Sequence, residues 1–185
     1  MDESKQEIIN ATNAALKKHG YNGLSIQKIA DEFDKSKSLL YHHYDSKDEI
    51  LLDFMDHKLE ELSQCSMGDS EKKPEAELEE KAFIGFKQDI ETAKAMTEIR
   101  TQAVRKEEYK KRFHKFSNTY KNRLRKIFRE GRKKEIFNDN FNPENAATFI
   151  DAVNKEAMFA KATGSRETHL RLELENYLKN RIKKK

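Results

Sequence analysis

The residues best suited to chemistry stand together between Ser25 and Lys47, in the run SIQKIADEFDKSKSLLYHHYDSK. Lys37, Ser38, Tyr41 and His42 bring an ammonium, a hydroxyl, a phenol and an imidazole close together. Such groups can hydrogen-bond base edges, as lysine does with guanine O6 or N7, or grip phosphate oxygens. Their spacing leaves them on the outward side of a short helix that turns Leu40 and Tyr44 inward. Ser36 is of the type that caps a helix N-terminus and can open it. Before it, Ile26, Ile29, Ala30 and Phe33 recur at i, i+3, i+4 and i+7, the apolar face of a helix opened by Ser25. Asp34 and Lys35 interrupt that pattern. Two short helices about a tight turn admit two readings. One is a helix-turn-helix that lays its second helix in the DNA major groove; the other is a polar helix face that only meets solvent.

Other chemistries find little support. His42 and His43, even with His19 and His57, make a poor metal site, because adjacent helical residues diverge by about 100°. Cys65 is the only cysteine, so no thiolate cluster and no internal disulfide can form. No HExxH, Ser-His-Asp signature or phosphate-cradling glycine loop is present. The expectation is therefore no metal, no cofactor and no enzyme. Lone-cysteine usage suits a cytoplasmic chain. The polar start MDESKQE is unlike a secretory leader, and no apolar run approaches the roughly 18 residues that span a bilayer.

The elements that would carry these groups read as helices throughout. Of 185 residues, 36% are hydrophobic and 38% charged, with two prolines and six glycines, which fits long solvated helix faces. Ser4 to Glu7 forms a capping box for a first helix with Ile8, Ile9, Thr12, Ala15 and Leu16 inward, stopping at Gly20. Ser46 to Glu49 forms a second box, opening a helix through Ile50, Leu51, Phe54, Met55 and Leu59. Met67 to Glu75 reads as a flexible loop. A long helical region follows from Leu78 to Val104, and a further helix runs from Tyr109 to about Gly131. Asn142 and Pro143 open another, with Ala146, Ile150, Val153, Ala157 and Ala160 on one stripe, closed by Gly164. Ser165 is placed to cap the last, with Leu170, Leu174, Leu178 and Ile182 at steps of four; Lys183 to Lys185 read as a frayed end. Two amphipathic helices in tandem suggest a four-helix bundle with a second copy of the chain, through Ile150, Val153, Ala157, Ala160, Leu170, Leu174 and Leu178.

Charge is unevenly distributed over a net of +4. Residues 1–50 hold seven lysines against nine acids, a net of −2, so the candidate reading head is not basic. Residues 105–134 hold fourteen bases against three acids, a net of +11. That basic helix reads as a solvated face over an aromatic stripe, with an anionic ligand or a secondary nucleic-acid contact as the alternatives.

The run KIADEFDKSKSLLYHHYDSKDEILL resembles the N-terminal domain of the tetracycline-repressor (TetR/AcrR) family of transcriptional regulators. The resemblance rests on Ile29-Ala30, Ser36-Lys37, Leu40-Tyr41-His42, Tyr44, Ser46-Lys47 and Ile50-Leu51. It implies an all-α protein: a three-helix DNA-binding domain over residues 1–46, then an effector-binding and dimerisation domain over 47–185. It further implies that Tyr41 and Lys47 hold the DNA backbone, with Ser25 or Ser36 adding a phosphate contact. Asp34 and Lys35 depart from the glycine and aliphatic residue usual in the family's turn. Asp tolerates a left-handed turn, and Lys35 becomes a phosphate candidate. Arg100 to Val153 resembles the choline-responsive branch more loosely, through RTQAVRKEEY, Arg129 to Gly131 and FNPENAATFI. The family's effector pocket would draw on Phe54, Met55, Phe83, Phe86, Met96, Arg100, Phe113, Phe116 and Tyr120, for a hydrophobic or anionic small molecule. The expected protein is a homodimeric, ligand-responsive repressor of a palindromic double-stranded DNA operator, without membrane contact. The alternative is a helical protein-interaction module that does not read DNA sequence.

Overall fold

A computed structural model describes residues 3–33, 37–64 and 73–184. Its described residues form nine α-helices: α1 (Glu3–Gly23), α2 (Ile26–Asp31), α3 (Lys37–His43), α4 (Lys47–Gln64), α5 (Pro74–Ala82), α6 (Ile90–Gln102), α7 (Glu107–Lys133), α8 (Pro143–Ala162) and α9 (Thr168–Tyr177). A π-helical turn, Leu178–Ile182, ends the last of them. None of these helices is long and apolar enough to cross a membrane.

Two apolar cores organise the chain. The first joins α1 to α4 through Ile9, Leu16, Ile29, Leu40, Leu51 and Met55. It also takes in Ala95 and Ile99 of α6 and Tyr109 of α7, so the N-terminal helices do not bury their core alone. The second gathers Leu78, Leu124, Phe128, Phe137, Ile150 and Leu174 from α5 and α7 to α9.

Local chemistry sets most of the helix ends. α1 breaks at Gly20, where φ is +64°, in the left-handed region that glycine adopts without a Cβ clash. Asn142 accepts hydrogen bonds from the amides of Glu144 and Asn145 at 2.8 and 3.1 Å, and Pro143 follows as the first residue of α8. Gly164, at φ +75°, ends that helix.

Four expectations need correction. The region from Leu78 to Val104 is two helices, because residues 83–89 form turns. There the buried Asn154 side chain of α8 accepts from the Gly85 amide at 2.6 Å and donates to the Ala82 carbonyl at 2.7 Å. Asp89 then caps α6 by accepting from the Thr92 amide at 2.7 Å. Ser165 does not cap α9: that helix begins at Thr168, and no side chain caps it. The chain's end is not frayed through Lys184, since Lys184 N–H donates to Ile136 O at 3.0 Å and Asn138 N–H to Ile182 O at 2.8 Å. Ser4 falls inside α1, which starts at Glu3. The flexible loop expected at Met67 to Glu75 falls mostly outside the described residues, and Pro74 opens α5.

Candidate nucleic-acid interface

The two short helices form as their apolar spacing demands. Ser25 caps α2, its hydroxyl accepting from the Lys28 amide at 3.2 Å, and Ile29 and Ala30 are buried. In α3 Leu40 is fully buried and Leu39 packs partly against the same core. The side chains left outward are Ser38, Tyr41, His42 and His43. Tyr41 is 52% exposed, and its hydroxyl donates only a long hydrogen bond, 3.4 Å, to Gln27. The His42 and His43 rings lie edge to face with centroids 5.4 Å apart. Lys35 and Ser36 lie outside the described residues; Lys37 opens α3, and its side chain too is outside the description.

Tyr44 closes α3 and fixes its angle to α4. Its amide donates to Leu40 O at 3.0 Å and its hydroxyl to Asp53 of α4 at 2.6 Å. Burial first, and then the bond to Asp53, push the Tyr44 phenol well above its usual range, so it stays a donor. Lys5 of α1 pairs with the same Asp53 at 2.8 Å. The box at the start of α4 forms with a shift. Ser46 accepts from the Glu49 amide at 3.2 Å, while the Glu49 carboxylate reaches back to the amide of Asp45 at 2.8 Å rather than that of Ser46.

Lys47 has a more inward role than phosphate contact alone requires. Its ammonium donates to the Tyr21 carbonyl at 3.0 Å and lies 4.6 Å from the centre of the Tyr21 ring. Beside it, Asp48 accepts from the hydroxyls of Tyr21 and Tyr109 at 3.0 and 2.9 Å and from the ammonium of Lys106. Burial alone would push the Asp48 carboxyl upward. The bonds from Lys106, Tyr109 and Tyr21 outweigh burial and hold it below the usual aspartate range. Glu98 of α6 completes the cluster by accepting from the amides of Tyr21 and Asn22 at 2.6 and 3.4 Å. None of these partnerships shows as a motif, because partners such as Tyr21 and Glu98 lie 77 residues apart.

Seven of the nine candidate effector residues are divided between the two cores. Phe54 and Met55 are buried in the first, with Met96 and Phe113 packed against it. Phe83, Phe86 and Tyr120 belong to the second. Phe116 is half-buried and Arg100 exposed. An open concavity between α5 and α9 is lined by Phe83, Lys87, Arg171 and Glu175 among others, and takes in only Phe83 of the nine. Among the described residues, no three His, Cys, Asp or Glu side chains gather as a metal would need.

Much of α7's charge is used within the fold. Arg112 pairs with Asp56 at 2.7 Å, Arg123 with the buried Glu77, and Arg125 with Glu144. Arg132 donates to the carbonyls of Asn138 and Asp139 at 3.1 and 3.2 Å and stacks 4.3 Å from the Phe141 ring centre.

The residues expected at a dimer interface turn the other way. Ile150, Ala157, Ala160, Leu174 and Leu178 are buried within the subunit itself, and Val153 and Leu170 are half-buried against the same core. Their periodicity is that of the subunit's own core. The large apolar side chains that α8 and α9 leave outward are Phe149, Phe159 and Leu172, at 40%, 47% and 50% exposure. Phe149 also stacks on Tyr177, with ring centroids 4.7 Å apart.

Residues 8–54 match the profile described as "Bacterial regulatory proteins, tetR family". The HTH-type transcriptional repressor AcnR of Corynebacterium jeikeium (strain K411) is 24% identical over 64 residues, 35% of this chain and 34% of that protein. The matched stretch thus spans about a third of that relative's length. Likeness to solved structures runs the whole length. A TetR transcription regulator from Haloarcula marismortui superposes with a TM-score of 0.79 at 28% identity, over 99% of this chain and 100% of that one. A transcriptional regulator of Saccharomonospora viridis in complex with choline has the same fold, with a TM-score of 0.82 at 16% identity over the full length of both chains. The tetR-family profile thus falls on the helices that present Ser38, Tyr41 and His42, and the chain shares its fold from end to end with a TetR transcription regulator.

Proposed function

We propose that this chain is a cytoplasmic, homodimeric transcriptional repressor that reads a palindromic DNA operator through α3 and is released by a small effector. The observation that carries the reading is the outward row of Ser38, Tyr41 and His42 over a sealed Leu40. In this reading the row faces base edges and phosphates, Lys37 and Lys47 add cationic contacts, and Ser25, Lys35 and Ser36 are candidates for further phosphate contacts. Two-fold pairing through the faces bearing Phe149, Phe159 and Leu172 would set two copies of α3 about one DNA turn, ~34 Å, apart. The effector would bind among the residues of α4 to α7. The choline held by the Saccharomonospora viridis protein supports a small-molecule ligand for this fold.

Binding to the DNA upstream of its own gene, against random duplex, tests the proposal by fluorescence anisotropy. The double change Lys37→Ala with Tyr41→Ala should weaken specific binding at least tenfold and leave the dimer intact. Equal affinity of the unaltered protein for both duplexes would refute the reading.

A further inference from the structure

We propose that Glu98 and Asp48 act together as a latch that fixes the angle of the DNA-reading helices against the rest of the subunit, making them positioning residues for operator recognition. The inference rests on the DNA-binding reading above and assigns the part of the fold that sets half-site spacing.

The latch grips one short stretch, Gly20 to Asn22, from two sides. On one side Glu98 of α6 accepts from two successive amides, Tyr21 N–H at 2.6 Å and Asn22 N–H at 3.4 Å. These amides are free for it because Gly20 breaks the helix ahead of them with φ +64°. A carboxylate facing unpaired helical amides makes a charge-assisted bond, stronger than a neutral one. On the other side the Tyr21 hydroxyl donates to Asp48, the second residue of α4. Asp48 in turn is held by Lys106 and Tyr109, at the end of the α6–α7 connection and in the first turn of α7. Tyr21 is therefore tied to α4, α6 and α7 at once, and its ring also packs edge-to-face on Tyr109, centroids 6.2 Å apart.

Among the described residues, few other polar ties join α1 to α3 to the helices beyond α4. Lys17 pairs with Asp89 at 2.8 Å, but both side chains are well exposed, so that pair holds weakly. The apolar contacts of Ala95, Ile99 and Tyr109 press the two parts together without fixing a direction, since hydrophobic attraction is non-directional. Direction must come from hydrogen bonds, and here Glu98 and Asp48 supply them. A side chain at position 20 cannot coexist with the latch: a Cβ there would lie 2.7 Å from the Glu98 Oε2 atom.

A dimer with latched heads should bind one half-site spacing and reject others. Two added base pairs rotate one half-site by roughly 70° and move it ~7 Å further away. The test uses the full-length protein and a duplex selected by it from a randomised library, alongside the same duplex lengthened by two base pairs. The measured quantity is the ratio of the two affinities. Glu98→Ala should lower that ratio by about tenfold, the scale of one lost charge-assisted hydrogen bond. Glu98→Gln keeps an oxygen that can accept from both amides and should restore most of it. Tyr109→Phe removes one donor to Asp48 while keeping the ring, and should lower the ratio by a smaller factor. Should Glu98→Ala fail to fold, Tyr109→Phe carries the test by itself. A variant that merely destabilises the fold lowers both affinities alike and leaves the ratio unchanged, which would overturn the latch. If the wild-type protein selects no duplex, the DNA-binding reading fails and the latch with it.

Discussion

Replacing Phe159 by glutamate tests the face through which two copies would pair. The ring is 47% exposed in the subunit. A phenylalanine offers roughly 200 Å² in all, so about 95 Å² remains to be covered. A two-fold interface counts each residue twice, giving about 190 Å². At ~25 cal/mol per Å² that is ~5 kcal/mol, an upper figure because it assumes complete burial. The dimer Kd should therefore rise by as much as about three and a half orders of magnitude, with an added cost for desolvating two carboxylates. Sedimentation velocity over a dilution series reads the change, and far-UV circular dichroism checks that helix content is kept. Leu174→Ala is the contrast. That side chain is fully buried in the subunit core, so its loss should cost the fold ~2–5 kcal/mol and lower the melting midpoint. The reasoning is refuted if Phe159→Glu leaves the dimer Kd unchanged, or if Leu174→Ala dissociates the dimer without affecting thermal stability.

Further consequences follow from the buried polar contacts. Asn154→Ala strips hydrogen bonds from Gly85, Ala82 and Tyr120 at once and should cost about 3 kcal/mol or more in urea unfolding at fixed protein concentration. Gly20→Ala forces a Cβ into a left-handed backbone and against Glu98, so it should lower stability by at least ~1 kcal/mol and weaken operator binding. Acid should loosen the Tyr21 cluster. Asp48 titrates below the usual aspartate value of 3.8, so its stabilisation is complete above that pH and is lost as pH falls below it. Urea midpoints measured from about pH 5 to pH 2 should therefore fall less steeply for Asp48→Asn than for the unaltered protein. Lys47→Ala removes a tie to Tyr21 O as well as a DNA candidate, so it should lower stability as well as DNA affinity, whereas Tyr41→Ala should lower affinity alone.

Spacing alone determined the helices that bury a single stripe. Ile26, Ile29 and Ala30 recur one turn apart on α2, and on α3 the inward Leu40 leaves Ser38, Tyr41 and His42 outward. The caps at Ser25, Ser46 and Asn142 and the stops at Gly20 and Gly164 were equally legible, since each satisfies or ends a helix with atoms a few residues away. Periodicity could not say which partner a stripe would meet. The row of Ile150 and Ala157 reads the same whether it faces a second subunit or its own core, and the packing of α5, α7 and α9 filled it from within. Nor could it place the break at residues 83–89, which Asn154 holds from an element far along the chain. The ties among Tyr21, Asp48, Glu98, Lys106 and Tyr109 exist only once α4, α6 and α7 converge. A hydrogen bond between residues 77 positions apart leaves no local pattern, because its geometry is set by the fold that brings them together.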